Sequence, residues 1–115
     1  MKLLLKGHVA ALRKNAEANG NRKNGDEPVR PIVKLFNPCV ASTWLISEML
    51  DDGDSLFGLC DLGLGSPELG YVSLAELSGF RGRFGLGIER DLLWKAKRSL
   101  AEYAEEARSV GRVLS

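Results

Sequence analysis

Between residues 35 and 80 the chain contains neither lysine nor arginine. Contact with a nucleic-acid backbone, which needs cationic side chains, therefore has to come from the flanks. Histidine occurs once, at His8, and cysteine twice, at Cys39 and Cys60. These three residues lack the CxxC or HxxxH spacing of zinc sites, so no metal is expected there. With the one histidine far along the chain from either thiol, the cysteines read as small, reduced, buried hydrophobes. Long apolar runs are also missing. No stretch approaches the roughly 20 residues that span a bilayer. Leu3 to Leu5 is cut by Lys6 and His8, well short of the ~7–15 apolar residues of a signal peptide. A cytoplasmic protein without membrane contact is the expectation.

The charges that are present fall into three blocks. Residues 1–34 carry a net +5, residues 35–80 a net −7 and residues 81–115 a net +3, for +1 overall. An acidic middle thus lies between basic flanks. With 115 residues, 44% apolar and 27% charged, the chain has the size and composition of one globular domain.

Local patterns divide that domain. Residues 8–18 predict an N-terminal helix, with Val9 and Leu12 three apart. Residues 19–28, NGNRKNGDEP, predict a mobile loop. Strands are expected over 32–36, 43–50 and 55–62, and a short fourth over 70–73. Asp51-Asp52-Gly53-Asp54 between two apolar runs is a hairpin signal, read as a type I′ turn with Asp-Gly at its centre. Alternation along 43–50 places Trp44, Ile46, Glu48 and Leu50 on one face and Leu45, Ser47 and Met49 on the other. Both faces hold apolar residues, so this hairpin is expected to be central in the sheet or covered on both sides. Residues 63–70, GLGSPELG, read as a loop. Ser73 and Glu76 match a capping box before a short helix over 74–79, and Ser99 and Glu102 match another before a C-terminal helix over about 99–110. Leu100, Tyr103, Ala104 and Ala107 form its apolar stripe. Residues 88–94 fit a strand or the start of a helix. The expected fold is α+β, a small antiparallel sheet of about four strands with flanking N- and C-terminal helices. Its core is expected from Phe36, Trp44, Phe57, Leu59, Tyr71, Leu74, Leu77 and Ile88.

The middle of the chain carries a longer pattern. It runs from Pro31 through Lys34-Leu35-Phe36-x-Pro38 and Thr43-Trp44-Leu45-Ile46-Ser47-Glu48. It continues with Leu56-Phe57-Gly58-Leu59-x-Asp61-Leu62-Gly63-x-Gly65-x-Pro67-Glu68-Leu69-Gly70-Tyr71-x-Ser73-Leu74-x-Glu76-Leu77, and ends in Gly85-Leu86-x-Ile88-Glu89-Arg90-Asp91. Over about residues 31–94 this resembles the domain of unknown function family numbered 2958. Members of that family are small bacterial proteins, frequently encoded on plasmids and other mobile elements. The resemblance implies an accessory role and brings no catalytic residue or cofactor with it.

The acidic, glycine and basic residues bear on several chemistries. Asp52 and Asp54 have the spacing that opens a calcium loop, but Leu56 and Leu59 occupy later ligand positions, so these acids read as a hairpin tip. Gly63-Leu64-Gly65 has two glycines of a dinucleotide loop and lacks the third, and Glu68 would repel an anion. No cofactor is expected. Arg90 is placed to pair with Glu68, Glu89 or Asp91 and so to pin the 63–70 loop. Asp61, Glu68 and Arg90 are the candidate catalytic set of a small enzyme. Arg13, Lys14, Arg81 and Arg83 are the candidate nucleic-acid contacts. Asp51, Asp52 and Asp54 are the candidate acidic partner surface, which in one reading imitates DNA phosphates to inhibit a host defence enzyme. The favoured reading is a non-enzymatic accessory protein that acts through a protein or nucleic-acid partner.

Overall fold

A computed structural model describes residues 2–23 and 28–115, and part of the loop expected over 19–28 lies outside them. The described elements run α1 (Lys6–Ala18), β1 (Val33–Phe36), β2 (Thr43–Met49), β3 (Ser55–Asp61), β4 (Glu68–Ser73), α2 (Leu74–Gly79), β5 (Glu89–Arg90) and α3 (Leu100–Val110). The strands form one sheet in the order β4-β3-β2-β1-β5, antiparallel throughout. The fold is α+β, with five strands where about four were expected. β5 is the addition. It pairs over only Leu35 with Arg90 and Phe36 with Glu89, too few residues for a periodic signal.

The β2–β3 hairpin forms, but its turn differs from the type I′ expected. Gly53 has φ +72, while Asp52 is not left-handed. The Gly53 amide donates to the Leu50 carbonyl at 3.1 Å, and the Leu50 amide to Ser55 at 2.8 Å. The loop is a tight turn that ends in a left-handed glycine, which asks positive φ of one residue instead of two. Asp52 holds it: its Oδ1 accepts the amides of Asp54 and Ser55 at 2.9 and 2.8 Å. The Ser55 hydroxyl, donating to Oδ2, and then these two amides keep the Asp52 carboxyl below its ordinary value.

Asp54 serves the next element. Its carboxylate accepts from the Ser73 hydroxyl at 2.7 Å and the Ala75 amide at 2.8 Å, and its carbonyl accepts from the Leu74 amide at 2.9 Å. The first turn of α2 is thus capped from across the hairpin as well as by Ser73, whose Oγ accepts from Glu76 at 3.2 Å. Asp54→Ala is expected to lower stability by about 1–2 kcal/mol in urea denaturation, with Asp51→Ala, at an exposed turn residue, as the neutral comparison.

Both sheet faces are covered. On one, α1 packs Leu12 against Val33, Leu35, Trp44, Ile46, Met49 and Leu56. On the other, α3 packs Leu100, Tyr103, Ala104 and Ala107 against Leu45, Phe57 and Leu59. The α3 cap is the one expected: Ser99 Oγ accepts from the Glu102 amide at 3.2 Å and Glu102 Oε1 from the Ser99 amide at 3.0 Å. Left-handed Gly111, φ +78, ends the helix. Trp44, Phe57, Leu59 and Ile88 are buried as expected. Leu74 and Leu77 are partly buried against the α1-side core, and Phe36 is half-buried. Tyr71 departs from expectation and is exposed, because its strand is an edge.

A bulge in β2 alters the expected facing. The register shifts between Ile46 and Glu48, so that Glu48 lies opposite Phe57 and Met49 opposite Leu56. Ser47 is the extra residue. Beyond it the alternation inverts: Met49 joins Trp44 and Ile46 on the α1 side, and Glu48 turns to the face of Leu45 and Phe57. β1 pairs with β2 no further than Ile46, which leaves later β2 carbonyls without a strand partner. Side chains of α1 supply the donors. Asn15 Nδ2 donates to the Ser47 carbonyl at 2.9 Å and Arg13 Nη1 to the Met49 carbonyl at 2.7 Å.

Candidate functional site

The bulge produces the most unusual chemistry in the molecule. Glu48 is fully buried, and its Oε2 accepts from Arg22 Nη1 at 2.8 Å. Its Oε1 has no hydrogen-bond partner among the described residues. Burial raises the carboxyl above its ordinary value, and the Arg22 guanidinium offsets only part of that rise. Arg22 lies 4.0 Å above the centroid of the Phe57 ring, and so it is held by a carboxylate and a π face at once.

A strained turn delivers it. Gly20, Asn21 and Arg22 are consecutive left-handed residues, with φ of +56, +53 and +68. For a non-glycine residue that conformation costs on the order of 1–2 kcal/mol. Asn21 Oδ1 accepts from Arg13 at 3.0 Å, which helps fix the turn. α1 packs on one face while Glu48 and Phe57 belong to the other, so the Arg22 side chain reaches from the end of α1 to the opposite face. Nothing in the composition of the 19–28 loop pointed to Arg22. The available signal was Glu48 itself, the one charge inside the apolar run 43–50.

The residues singled out from the sequence are dispersed. Glu68, Cys60, Trp44, Leu35 and Arg90 lie on one cross-strand row, in that order. Glu68 is on one sheet edge and Arg90 on the other, four strand spacings or roughly 19 Å apart. The expected pin between them is therefore not made. Arg90 instead donates to the carbonyls of Lys2 and Leu3. Asp61 is buried; it accepts from the Gly63 amide at 2.8 Å and the Val113 amide at 2.9 Å, which ties the C-terminal segment to the end of β3. Asp61, Glu68 and Arg90 do not converge. Among the basic candidates, Arg13 is engaged with Met49 and Asn21, and Arg81 with the carbonyls of Ser78 and Phe80. Lys14 is exposed on α1, and Arg83 is exposed after α2, 5.5 Å from the Phe84 ring centroid. Of the acidic candidates, Asp52 and Asp54 are bound into the hairpin and α2, and Asp51 is exposed. Burial pushes the Cys60 thiol up to about 11, which suits an unreactive side chain. Among the described residues no three His, Cys, Asp or Glu are grouped to hold a metal ion, and no helix is long and apolar enough to cross a membrane.

The two sheet edges are unlike. β5 is two residues long, whereas β4 runs for six. A short edge is blunt; a long one offers a row of backbone donors and acceptors to another strand. β4 has neither lysine nor proline within it. Leu62, Leu64, Leu69 and Tyr71, on and before it, are all exposed, Leu64 at 81%. Two adjoining open hollows of about 320 and 410 Å³ follow the strand, and both are lined by Trp44, Leu62, Tyr71 and Val72. Trp44 is buried and its Nε1 has no acceptor among the described residues. Sequence reasoning missed this edge, because it placed Glu68 and Leu69 in a loop.

Residues 3–114 match the family described as protein of unknown function (DUF2958). The chain belongs to this family. The match reaches beyond the 31–94 stretch in which the resemblance was legible, so α1 and α3 are family elements as well. No curated protein and no solved structure matches the chain at a significant level.

Proposed function

We propose that this DUF2958 protein is a non-enzymatic accessory module that works by binding a protein partner along β4. The observation that carries the reading is the six-residue β4 edge, flanked by exposed Leu62, Leu64, Leu69 and Tyr71 and by two open hollows. Exposed apolar side chains gathered beside an unpaired strand edge are the ordinary form of a strand-addition interface. The scatter of Asp61, Glu68 and Arg90 across the sheet favours binding over catalysis, since acid and base must reach one substrate.

A photo-crosslinking residue at Tyr71, introduced in the host cell, tests the proposal. The expected result is a discrete protein adduct from Tyr71 and none from the same residue at Lys14. No adduct at Tyr71, or equal adducts at both positions, would overturn it.

A further inference from the structure

The chemistry around β4 says what kind of protein fits there. We infer that the occupant is an extended segment of a basic protein, laid alongside β4 as a sixth strand, with an apolar side chain in the hollow and a cation at each end. This inference rests on the proposed function and goes further by naming the partner class.

Two acids mark the ends of the groove. Glu68 lines one hollow and Glu76 the other. Both are exposed, and neither takes part in an ion pair among the described residues. The surrounding stretch, residues 35–80, has no cation of its own to offer them. Glu68 to Ser73 spans about 17 Å of strand at ~3.4 Å per residue, and Glu76 lies within the first turn of α2. A strand that covers this length therefore carries its basic residues about six positions apart, an even spacing that keeps both on the face of the hollows. Between them the wall is apolar, formed by Trp44, Leu62, Leu64 and Tyr71.

The same charges argue against other occupants. A second copy added about a two-fold axis would bring each Glu68 toward the partner's Glu76 end, acid against acid. Nucleic acid would bring phosphates to the same two carboxylates.

The probe is a blocked peptide, Lys-Thr-Val-Thr-Val-Thr-Lys, titrated into the intact protein and followed by backbone amide NMR shifts. Expected are a dissociation constant below ~1 mM, shifts centred on residues 68–73, and at least tenfold weaker binding for the version with glutamate at both ends. N-methylation of alternate peptide amides along one edge is expected to weaken binding at least tenfold, because the strand bonds are lost. Glu68→Lys with Glu76→Lys, both at exposed positions, is expected to reverse the charge preference. Equal binding of the two peptides, no effect of N-methylation, or shifts away from β4 would overturn the inference. So would self-association mapping to β4, which would assign the edge to a second copy. A Tyr71 adduct with a protein that lacks such a basic segment would refute the inference alone, whereas absence of any Tyr71 adduct would refute the proposed function beneath it.

Discussion

Gly58→Ala is expected to destabilise the protein by about 3 kcal/mol or more, enough to remove most of the margin of a small domain. Gly58 lies opposite Ile46 where β2 bends into its bulge. A Cβ there would sit 2.1 Å from the Leu45 carbonyl oxygen and 2.9 Å from the Ile46 Cα. Both are backbone atoms, so relief requires moving the two central strands apart. Gly70, the next residue on the same cross-strand row, has nothing within 4 Å of its notional Cβ. Gly70→Ala is accordingly expected to change stability by less than about 1 kcal/mol. Urea denaturation of the pair measures the contrast; comparable effects at the two positions would refute the account of the bulge.

The second large effect concerns Arg22. Arg22→Met leaves the carboxylate of Glu48 buried without its counter-charge, at an expected cost of about 3 kcal/mol at neutral pH. Glu48→Gln in the same background is expected to restore most of the loss, because the uncompensated charge is gone. The pH dependence has a definite sign. Burial raises the folded-state value of Glu48 above the 4.5 of the unfolded chain, so the native state holds this proton more tightly. Its contribution to stability therefore falls as pH rises from about 4.5 through the raised value, and above that the full penalty is present. Removing Arg22 raises the folded value further and widens the window. The deficit of Arg22→Met should thus shrink on acidification and be smallest near pH 4.5. Denaturation of wild type, both single variants and the double variant at several pH values reads this coupling.

Which of these features the sequence disclosed follows from how local each one is. The hairpin was legible because a turn is written in adjacent residues, and Gly53 is left-handed where one was needed. The α3 stripe and its Ser99–Glu102 cap were legible for the same reason. The bulge at Ser47 was not. Strict alternation is the default, and nothing in TWLISEM marks the residue at which β2 gains one position. That single insertion decides which face Glu48 occupies, so the buried ion pair was hidden with it. Arg22 is reached through three left-handed residues in a polar loop, a path that composition does not encode. Asp54 and Asp61 were recognised as notable acids, but their partners, Ala75 and Val113, lie 21 and 52 residues away. The start of β4 was obscured by Pro67 and the glycines before it, while its pairing with Cys60 and Leu59 is fixed by the neighbouring strand.

That pairing on one side alone makes β4 the open edge of the sheet. Its exposed Leu69 and Tyr71 border the open hollows, and the Tyr71 ring packs against Phe57 with 5.1 Å between centroids. The buried Arg22–Glu48 pair lies on β2, and Arg22 also covers Phe57 of β3, the cross-strand neighbour of Tyr71.

Amide hydrogen exchange of the protein, free and bound to the partner captured through Tyr71, tests the central claim directly. The account predicts that amides of Glu68–Ser73 gain protection on binding while those of Glu89–Arg90 are unchanged. New protection confined to β5, or to the exposed face of α1, would contradict it.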